Sequence, residues 1–481
     1  MKNYRMLVCG ELLDAPDRMP VISPVTEMTV GNAPRADVAT IDRAVAGAAR
    51  AYESWRLTPH TERRAALYAI SSALAAHADE LASLLVLETG RPMAIAQFEV
   101  GLAKQFVDYY ADQELTSEVL AEDAGRRVEV HRKPLGVVAA IVPWNAPLYL
   151  AANKIAPALI AGNTIVVKSP PTAPLTLLRL GELIAAAVPA GVVNVVSGGN
   201  DAGAHLVAHP QVAKIAFTGS TPTGKAIMAS ASPSLKRLTL ELGGNDAAIV
   251  LADADPKAIA PALFGLAFFN SGQVCAVIKR LYVHASIYDA VCSEMAALAN
   301  GAAVGDGMNP AVAFGPVQNL AQYEKVLRVL DDARAHGKII AGGGPLRRPG
   351  YFVPLTIVRD ISDGTATVDE EAFGPILPII RFSEIDDVIA RANSSPYGLG
   401  ASVWSSDLDR AAAVAVRLES GTVWVNQHCA LDPAIPFPAH KQSGIGVESG
   451  REGLYAYTAL QIVNVNKAGG SIAAEAETSG V

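Results

Sequence analysis

Between residues 137 and 250, short apolar segments alternate with segments of helical pattern, and this alternation restricts the fold more than any other feature. The segments "NTIVVKSP", "GVVNVVSG" and "VAKIAFTGS" are predicted strands, and "APLTLLRLGELIAAA" and "DAGAHLVAHP" are the helices between them. Strands that are apolar on both faces are typical of parallel sheets covered by helices. The pattern therefore predicts a doubly wound parallel α/β sheet, which binds ligands beyond the carboxyl ends of its strands.

Other regions flank the predicted sheet. Residues 36–115 have the pattern of amphipathic helices, and Gly90 and Pro92 end one of these helices. Residues 246–441 contain a second α/β region. The polar alternation of "RRVEVHRKP" predicts an exposed hairpin strand, and we expect the strand "LQIVNVNK" to pair with this hairpin across a subunit boundary. The low-complexity segment "AGGSIAAEAETSGV" is predicted to be poorly ordered.

The charge and the cysteines exclude several classes of protein. The formal net charge is −8 and there is no basic stripe, so neither nucleic acid nor an anionic membrane is expected as a partner. The four cysteines are far apart and form no CxxC pair, which argues against a disulfide framework and a structural zinc site. No metal-binding motif and no apolar stretch of membrane-spanning length occur. We expect a soluble protein of the reducing cytoplasm that binds no metal.

The segment "NSGQVCA" places Cys275 behind a glycine, at the end of an apolar helical segment. Gly272 allows a turn that presents the next side chains to a cavity or to solvent, where a thiol can act as a nucleophile. The alternative is a buried, inert cysteine, which is the commoner state of a cysteine taken alone.

Two positions follow predicted strands where a nucleotide would bind. The turn "GSTPTGK" contains Gly219 and Ser220 and opens a helix, whose free N–H groups attract an anion such as a pyrophosphate. Its GxxxxG spacing matches neither the dinucleotide fingerprint nor the full phosphate loop, so an ordinary capped turn remains the alternative. Lys168 ends the strand "TIVVK", where it either binds cofactor hydroxyls or faces water.

Two further residues have the chemistry of acyl transfer. Glu241 lies between leucines in "LELGGND", and burial would raise the pKa of its carboxyl toward that of a general base near neutrality. A structural ion pair is the alternative. Asn145 lies in "VPWNAP", where flanking prolines would hold its amide ready to donate to an oxyanion, although an Asx turn also fits.

With these residues identified, the sequence resembles the aldehyde dehydrogenase superfamily over nearly its full length. The segments "PWN" (143–145), "FTGST" (217–221), "LELGGN" (240–245), "GQVC" (272–275), "EEAFGP" (370–375) and "HKQSGIGVESG" (440–450) occur in the family's order. The resemblance implies an enzyme that oxidises an aldehyde to the carboxylic acid with NAD, through a thiohemiacetal and a thioester on a cysteine.

The resemblance also assigns roles to individual residues. Cys275 would be the nucleophile, Asn145 and the Cys275 backbone N–H the oxyanion hole, and Glu241 the base that activates the hydrolytic water. Lys154 matches a lysine that the family places near the oxyanion and the nicotinamide. The implied cofactor-binding residues are Trp144, Lys168, Gly219, Ser220, Glu371 and Phe373. Pro171 stands where many NAD-preferring members have a glutamate that repels the 2′-phosphate, so NADP is not excluded.

The positions that line the family's aldehyde tunnel are apolar in this chain: Ala146, Tyr149, Val274, Ala276, Leu431 and Phe437. They favour an aromatic, terpenoid or medium-chain aldehyde over a charged semialdehyde, which would call for an arginine. The chain departs from the family at Pro438 and Ala439, where two glycines are usual. It also has Arg451 at the place where some members have a second glutamate, so Glu241 is expected to act without that helper.

From the resemblance we expect an NAD(P)-binding domain in residues 1–120 and 141–245, a catalytic domain in 246–441, an oligomerisation element in 121–140 and 458–468, and a flexible tail in 469–481. The assembly would be a homodimer or homotetramer. The alternatives are a semialdehyde dehydrogenase, a CoA-acylating relative, a cofactor-free thiol esterase, and a binding protein that has lost its chemistry. The joint presence of Cys275, Glu241 and Asn145 argues against the last of these.

Overall fold

The structure, a computed structural model, describes residues 2–467, so the tail predicted at 469–481 lies outside the described residues. The first part of the chain forms short strands followed by helices: β1 (Lys2–Asn3), β2 (Met6–Val8), β3 (Glu11–Leu13), β4 (Arg18–Ile22), β5 (Thr29–Pro34), α1 (Val38–Trp55), α2 (His60–Ala76), α3 (Ala78–Thr89) and α4 (Met93–Ala111). The predicted helical region is confirmed, and α3 ends at Gly90, whose φ of 72° is the left-handed conformation that glycine adopts readily.

The next part of the chain alternates strands and helices as the sequence predicts. Its elements are β6 (Glu118–Glu122), β7 (Arg126–Pro134), β8 (Val137–Ile141), α5 (Pro147–Ile160), β9 (Thr164–Lys168), α6 (Leu175–Ile184), β10 (Val193–Val196), α7 (Asn200–Ala208), β11 (Val212–Thr218), α8 (Thr221–Ala231), β12 (Arg237–Glu241) and β13 (Ala247–Val250).

The remainder contains a second strand and helix alternation and a run of very short strands. Its elements are α9 (Pro256–Phe268), β14 (Arg280–His284), α10 (Tyr288–Gly301), α11 (Leu320–His336), β15 (Lys338–Ala341), β16 (Thr356–Arg359), α12 (Ala366–Asp369), β17 (Ile376–Phe382), α13 (Ile385–Asn393), β18 (Tyr397–Gly398), β19 (Gly400–Trp404), α14 (Leu408–Ala415), β20 (Thr422–Val425), β21 (Phe437–Pro438), β22 (His440–Lys441), β23 (Gly444–Ile445), β24 (Val447–Glu448), α15 (Gly450–Tyr455) and β25 (Thr458–Asn466).

An eight-stranded sheet has the order β23-β12-β11-β8-β9-β10-β2-β3. Its central strands, from β12 to β10, are parallel, and the antiparallel strands β23, β2 and β3 lie at its edges. Alternate residues of β8 pack into different cores: Val138 and Ala140 pack with α5, and Val137 and Ala139 pack with α1 and α7. The sheet is therefore buried on both faces, which confirms the predicted doubly wound α/β class.

A seven-stranded sheet has the order β15-β16-β17-β14-β13-β19-β20 and is parallel except at β15. It is also covered on both faces by apolar side chains. Between residues 2 and 467, no single helix is long and apolar enough to cross a membrane, although α2 and α3, bent by 70°, have that length and composition as a pair.

The oligomerisation element predicted at 121–140 differs from the structure in two ways. The predicted element begins at residue 121, whereas β6 already begins at Glu118. Its predicted end at residue 140 falls inside β8, and β8 belongs to the eight-stranded sheet. The expected pairing of the strand near 458–468 across a subunit boundary is also wrong. β25 pairs with β7 of the same chain, from Thr458 opposite Pro134 to Asn466 opposite Arg126, in a sheet of order β25-β7-β6. The short turn at α15 brings β25 back to its own hairpin, so no second chain is needed.

Candidate active site

The predicted ligand edge of the eight-stranded sheet is built by strands that end side by side. Ile141 pairs with both Lys168 and Phe217, and Thr218 pairs with Glu241. Because these carboxyl ends lie in register, the residues at and just beyond them share one edge of the sheet. The predicted site residues at this edge are Trp144, Asn145, Lys168, Gly219, Ser220 and Glu241.

A cavity of about 300 Å³ contains the three residues that were predicted to perform acyl chemistry. Asn145, Glu241 and Cys275 all line it, although they come from three distant parts of the sequence. The six predicted pocket residues also line this cavity: Ala146, Tyr149, Val274, Ala276, Leu431 and Phe437. Additional apolar side chains that the sequence did not indicate are Ile95, Phe98 and Leu102 on α4, Leu266 on α9, and Phe269 directly after α9.

The turn before Cys275 is held in an unusual backbone conformation. Asn270, Ser271 and Gly272 have φ values of 51°, 57° and 76° in succession. A Cβ at Gly272 would lie 2.3 Å from the carbonyl oxygen of Gly374, so only glycine fits there. The Gln273 side chain donates to the carbonyl oxygens of Asn270 and Pro316, each at 3.1 Å. These contacts hold the turn so that Cys275 faces the cavity.

Two N–H donors lie at the Cys275 end of the cavity. One N–H of the Asn145 amide donates to the Gln273 carbonyl oxygen at 3.0 Å, which orients the amide and leaves its second N–H. The Asn145 carbonyl oxygen accepts from Arg91 at 2.6 Å and from Asn270 at 3.2 Å. Within residues 2–467 the Cys275 backbone N–H has no acceptor. This arrangement can stabilise an oxyanion without reorganisation.

Arg91 and Glu99 support this loop, and the sequence did not single them out. Both are buried, and they form an ion pair. Glu99 Oε1 accepts from the backbone N–H groups of Leu148 at 2.8 Å and Tyr149 at 3.2 Å, which satisfies the start of α5. Burial raises the pKa of the Glu99 carboxyl, and Arg91 opposes this rise. The signal in the sequence that could have identified them is a charged residue on the apolar face of α4, Glu99, and a second one in the turn before that helix, Arg91.

Glu241 is buried, and its Oε1 has no hydrogen-bond partner within the described chain. Burial raises the pKa of the Glu241 carboxyl well above its ordinary value, the charge of Glu448 raises it further, and Lys154 opposes both. An orphaned carboxyl oxygen facing a cavity is suited to accept a proton from a water molecule there.

The expectation that Glu241 has no second glutamate beside it is wrong. Glu448 lines the same cavity, its Oε1 lies 2.5 Å from Lys154 Nζ, and its Oε2 accepts from Asn153 Nδ2 at 3.0 Å. The pairing of β23 with β12, which places Gly444 opposite Glu241, turns the following residues into the site. Arg451 instead lies exposed on α15, with its guanidinium 5.4 Å from the Tyr455 ring.

Lys154 lies behind the cavity wall and not on it. Its side chain is completely buried, and its Nζ also donates to Thr218 Oγ1 at 2.8 Å. These two contacts hold the ammonium against Thr218 and Glu448, which both line the cavity.

The surroundings of the Cys275 thiol disfavour its ionisation. Burial raises the pKa of this thiol well above its usual range, and Lys279 opposes the rise. A thiol with a raised pKa needs a base to become a nucleophile, and Glu241 is one of the titratable groups close enough to influence it.

The residues predicted to bind a dinucleotide fit that ligand. Lys168 is buried, and within residues 2–467 its ammonium has no acceptor, while burial lowers its pKa to about 8. Ser220 caps α8 by accepting from the Thr223 N–H at 3.4 Å, which leaves the first N–H groups of the helix for an anion. The rings of Trp144 and Phe373 meet edge to face with centroids 5.5 Å apart.

Within residues 2–467, no group of three His, Cys, Asp or Glu side chains could hold a metal ion.

A thiol, an amide donor and a buried carboxyl on one cavity beside a doubly wound sheet are the groups expected of an enzyme that combines covalent thiol catalysis with a dinucleotide cofactor. The profile of the aldehyde dehydrogenase family matches residues 13–463. The chain is 42% identical to the phenylacetaldehyde dehydrogenase of Pseudomonas fluorescens over 475 residues, which cover 95% of this chain and 94% of that protein. The chain belongs to the aldehyde dehydrogenase family, and the resemblance found in its motifs is confirmed.

Solved structures agree with this assignment. The aldehyde dehydrogenase of Bacillus cereus in complex with NAD⁺ superimposes with a TM-score of 0.94 at 35% identity, covering 97% of both chains. A 3,6-anhydro-L-galactose dehydrogenase in complex with NADP superimposes with a TM-score of 0.93 at 34% identity, covering 97% of this chain and 100% of that one. The protein is an NAD(P)-dependent aldehyde dehydrogenase.

Proposed function

We propose that this enzyme oxidises apolar aldehydes, with aromatic aldehydes as the preferred class, to carboxylic acids through a thioester on Cys275. The cavity carries the proposal, because its wall is apolar apart from the groups that perform the chemistry and those that support them. The relative from Pseudomonas fluorescens, whose name specifies phenylacetaldehyde, supports the same class.

Among the described residues that line the cavity, Arg91 is the one cationic side chain and therefore the candidate for binding a semialdehyde carboxylate. Its donors are already used, however. It pairs with Glu99, donates to the Asn145 carbonyl oxygen at 2.6 Å, and donates to Thr89 Oγ1 at 2.8 Å. A bound carboxylate would have to break these contacts in a buried site, which is costly. Semialdehydes are therefore poor substrates in this proposal.

In the proposed mechanism the Cys275 sulfur bonds to the aldehyde carbon while its proton passes to Glu241. The Asn145 amide and the Cys275 N–H stabilise the oxyanion that forms. The residues that would hold NAD(P) are Trp144, Lys168, Gly219, Ser220, Glu371 and Phe373, and the bound cofactor would accept the hydride that leaves the former aldehyde carbon. Glu241 releases the thiol proton to solvent, then takes a proton from the water that attacks the thioester and passes it to the departing sulfur, so the acid leaves and the Cys275 thiol is restored.

Glu448 and Lys154 set the charge around Glu241 in this mechanism. Lys154 and Asn153 both donate to the Glu448 carboxylate and hold it in the cavity that Glu241 also lines. Burial raises the pKa of the Glu241 carboxyl and the charge of Glu448 raises it further, so the ionised Glu241 accepts a proton more readily than an exposed carboxylate does.

The test is a set of initial rates of NAD(P)H formation at 340 nm with phenylacetaldehyde, benzaldehyde, hexanal, citral and succinic semialdehyde. We expect kcat/KM to be at least about 100-fold higher for the aromatic aldehydes than for succinic semialdehyde, because only the latter requires a charged partner. Added CoA should leave the rate unchanged. A preference for succinic semialdehyde, or a requirement for CoA, would contradict the proposal.

Lys168 is predicted to make NADP binding dependent on pH. Its pKa of about 8 means that the ammonium is charged at pH 7 and largely neutral at pH 9, whereas the 2′-phosphate stays dianionic. We expect the dissociation constant of NADP to rise about tenfold between pH 7 and pH 9, and that of NAD to change little. Titration calorimetry measures both. In Lys168→Met the NADP affinity should be low at both pH values.

The oligomeric state proposed here is a homodimer or homotetramer. The three-stranded sheet exposes apolar side chains on both of its outer strands: Val119, Leu120, Leu460, Ile462 and Val465. Open strand edges with exposed apolar residues pair readily with another chain.

We also propose a reducing cytoplasmic compartment, because all four cysteines are free.

A further inference from the structure

Lys279 is buried next to the catalytic machinery and belongs to none of the roles described so far. It follows Cys275 by four positions and donates to the Cys275 backbone carbonyl oxygen. Its Nζ also lies 2.9 Å from Glu371 Oε1, and only 7% of its side chain is exposed. One ammonium group therefore joins the nucleophile turn to a residue proposed to hold the cofactor.

The Glu371 carboxylate is held on one side by these contacts. Its Oε1 accepts from the Gly244 N–H at 3.2 Å and pairs with Lys279. Its Oε2 lies above Gly243, where a Cβ would come within 2.6 Å of it. Phe373, two residues further along, has its ring centroid 5.9 Å from Lys279 Nζ. Lys279 and the Gly244 N–H thus both contact one carboxylate oxygen, Oε1, while Oε2 lies next to Gly243, where a side chain would collide with it.

We propose that Lys279 is a positioning residue that couples the nucleophile turn to the cofactor site: it orients Glu371 to receive the nicotinamide ribose and holds the Cys275 carbonyl at the same point. This inference rests on the proposed role of Glu371. A carboxylate fixed in advance loses less entropy when it accepts ribose hydroxyl groups, which increases affinity.

The charges around Lys279 support a second effect of the same group. Asp246 and Glu371 stabilise its ammonium in spite of burial, so the pKa of Lys279 is raised. The groups that influence Cys275 are Lys279, Cys429, Glu241 and Glu371, and of these Lys279 alone favours the thiolate. Removing its charge should therefore make the Cys275 thiol less acidic.

The experiment compares Lys279→Met with wild type and with Lys325→Met. Lys325 also lies in the electrostatic surroundings of Glu371 but makes no hydrogen bond with it among the described residues, so it is a matched control. The first readout is the NAD dissociation constant without aldehyde, from protein fluorescence. The second is the pH dependence of Cys275 alkylation by iodoacetamide, followed by mass spectrometry of the peptide that contains it.

In Lys279→Met we expect NAD binding to weaken about tenfold and the midpoint of alkylation to move up by about one pH unit, with little change in Lys325→Met. Because Lys279 acts through Glu371, Lys279→Met should cause no further loss of NAD affinity in a Glu371→Gln background. Unchanged NAD binding and an unchanged alkylation midpoint, or losses that add in the double variant, would overturn the inference.

Two outcomes separate this inference from the proposed function. If Glu371→Gln binds NAD as wild type does, the role of Glu371 is wrong. If Glu371→Gln weakens binding but Lys279→Met does not, only the coupling by Lys279 is wrong. Should Lys279→Met fail to fold, Lys279→Arg keeps the charge but not the length of the side chain. That variant is expected to retain the alkylation midpoint and to lose NAD affinity, and full affinity would count against the coupling.

Discussion

Replacing Cys275 by alanine is expected to lower the rate of NAD(P)H formation by at least about 10⁴-fold with every aldehyde, because loss of a nucleophile removes the whole covalent pathway. The cavity contains a second thiol, Cys429, but the oxyanion donors are arranged around Cys275. Initial rates at 340 nm measure the effect. NAD affinity should be retained, since the sheet edge that carries Lys168 and Ser220 is untouched.

Cys292→Ala is the matched control for this substitution. Cys292 is buried on α10, in a core of the seven-stranded sheet away from the cavity, and the same change of side chain there should leave turnover within about threefold of wild type. Steady reduction of NAD(P) by Cys275→Ala would show that the oxidation does not pass through this thiol.

Replacing Glu241 by glutamine should separate the oxidation from the hydrolysis. Glutamine keeps the shape of the side chain but cannot take a proton from water, so the thioester persists and steady-state turnover falls by about 10³-fold. Rapid mixing should still show a burst of up to one NAD(P)H per subunit, but a slower one than in wild type, because Glu241 also takes the Cys275 proton in the first step. A slow first turnover with no burst would instead indicate that Glu241 is needed mainly to deprotonate Cys275.

The wild-type rate should depend on pH through the same carboxyl. The pKa of Glu241 is raised in the folded enzyme, so the carboxylate that acts as the base is present above that pKa and is lost as the pH falls through it. Steady-state turnover is therefore expected to fall on the acid side in wild type, and this acid limb should be absent in Glu241→Gln. Glu452→Gln, an exposed change on α15, should keep the wild-type profile.

Local sequence was enough to predict the elements that carry the site. The run from β8 to β12 was predicted because an apolar strand and an amphipathic helix each leave a periodic pattern within ten to twenty residues. Cys275, Glu241 and Asn145 were found because each lies in a short motif at the end of a strand or helix. The six apolar pocket positions came from the family resemblance, and the structure places all of them on one cavity.

The residues that the sequence analysis did not identify contact partners that are far away in the sequence. Glu448 meets Lys154 across 294 positions, and Arg91 meets Asn145 across 54. The motif comparison places Arg451 at the position of the second glutamate, whereas the structure has Glu448 in the cavity. The two residues are only three positions apart, and the sequence does not show which of them faces inward. Lys279 is close to Cys275 in sequence, but its function depends on Glu371, which is contributed by another loop.

The sequence by itself determined the fold class and the family, because hydrophobic period and motif order are local properties of the chain, and it indicated Cys275 as the candidate nucleophile. Only the tertiary structure decided which carboxylate supports Glu241, that β25 pairs with its own hairpin, and that the donors of Arg91 are already occupied. The physical reason is that the role of a charged group or a strand edge depends on the partner that folding brings within hydrogen-bond distance. The chemical identity of a residue specifies neither its burial nor its partner.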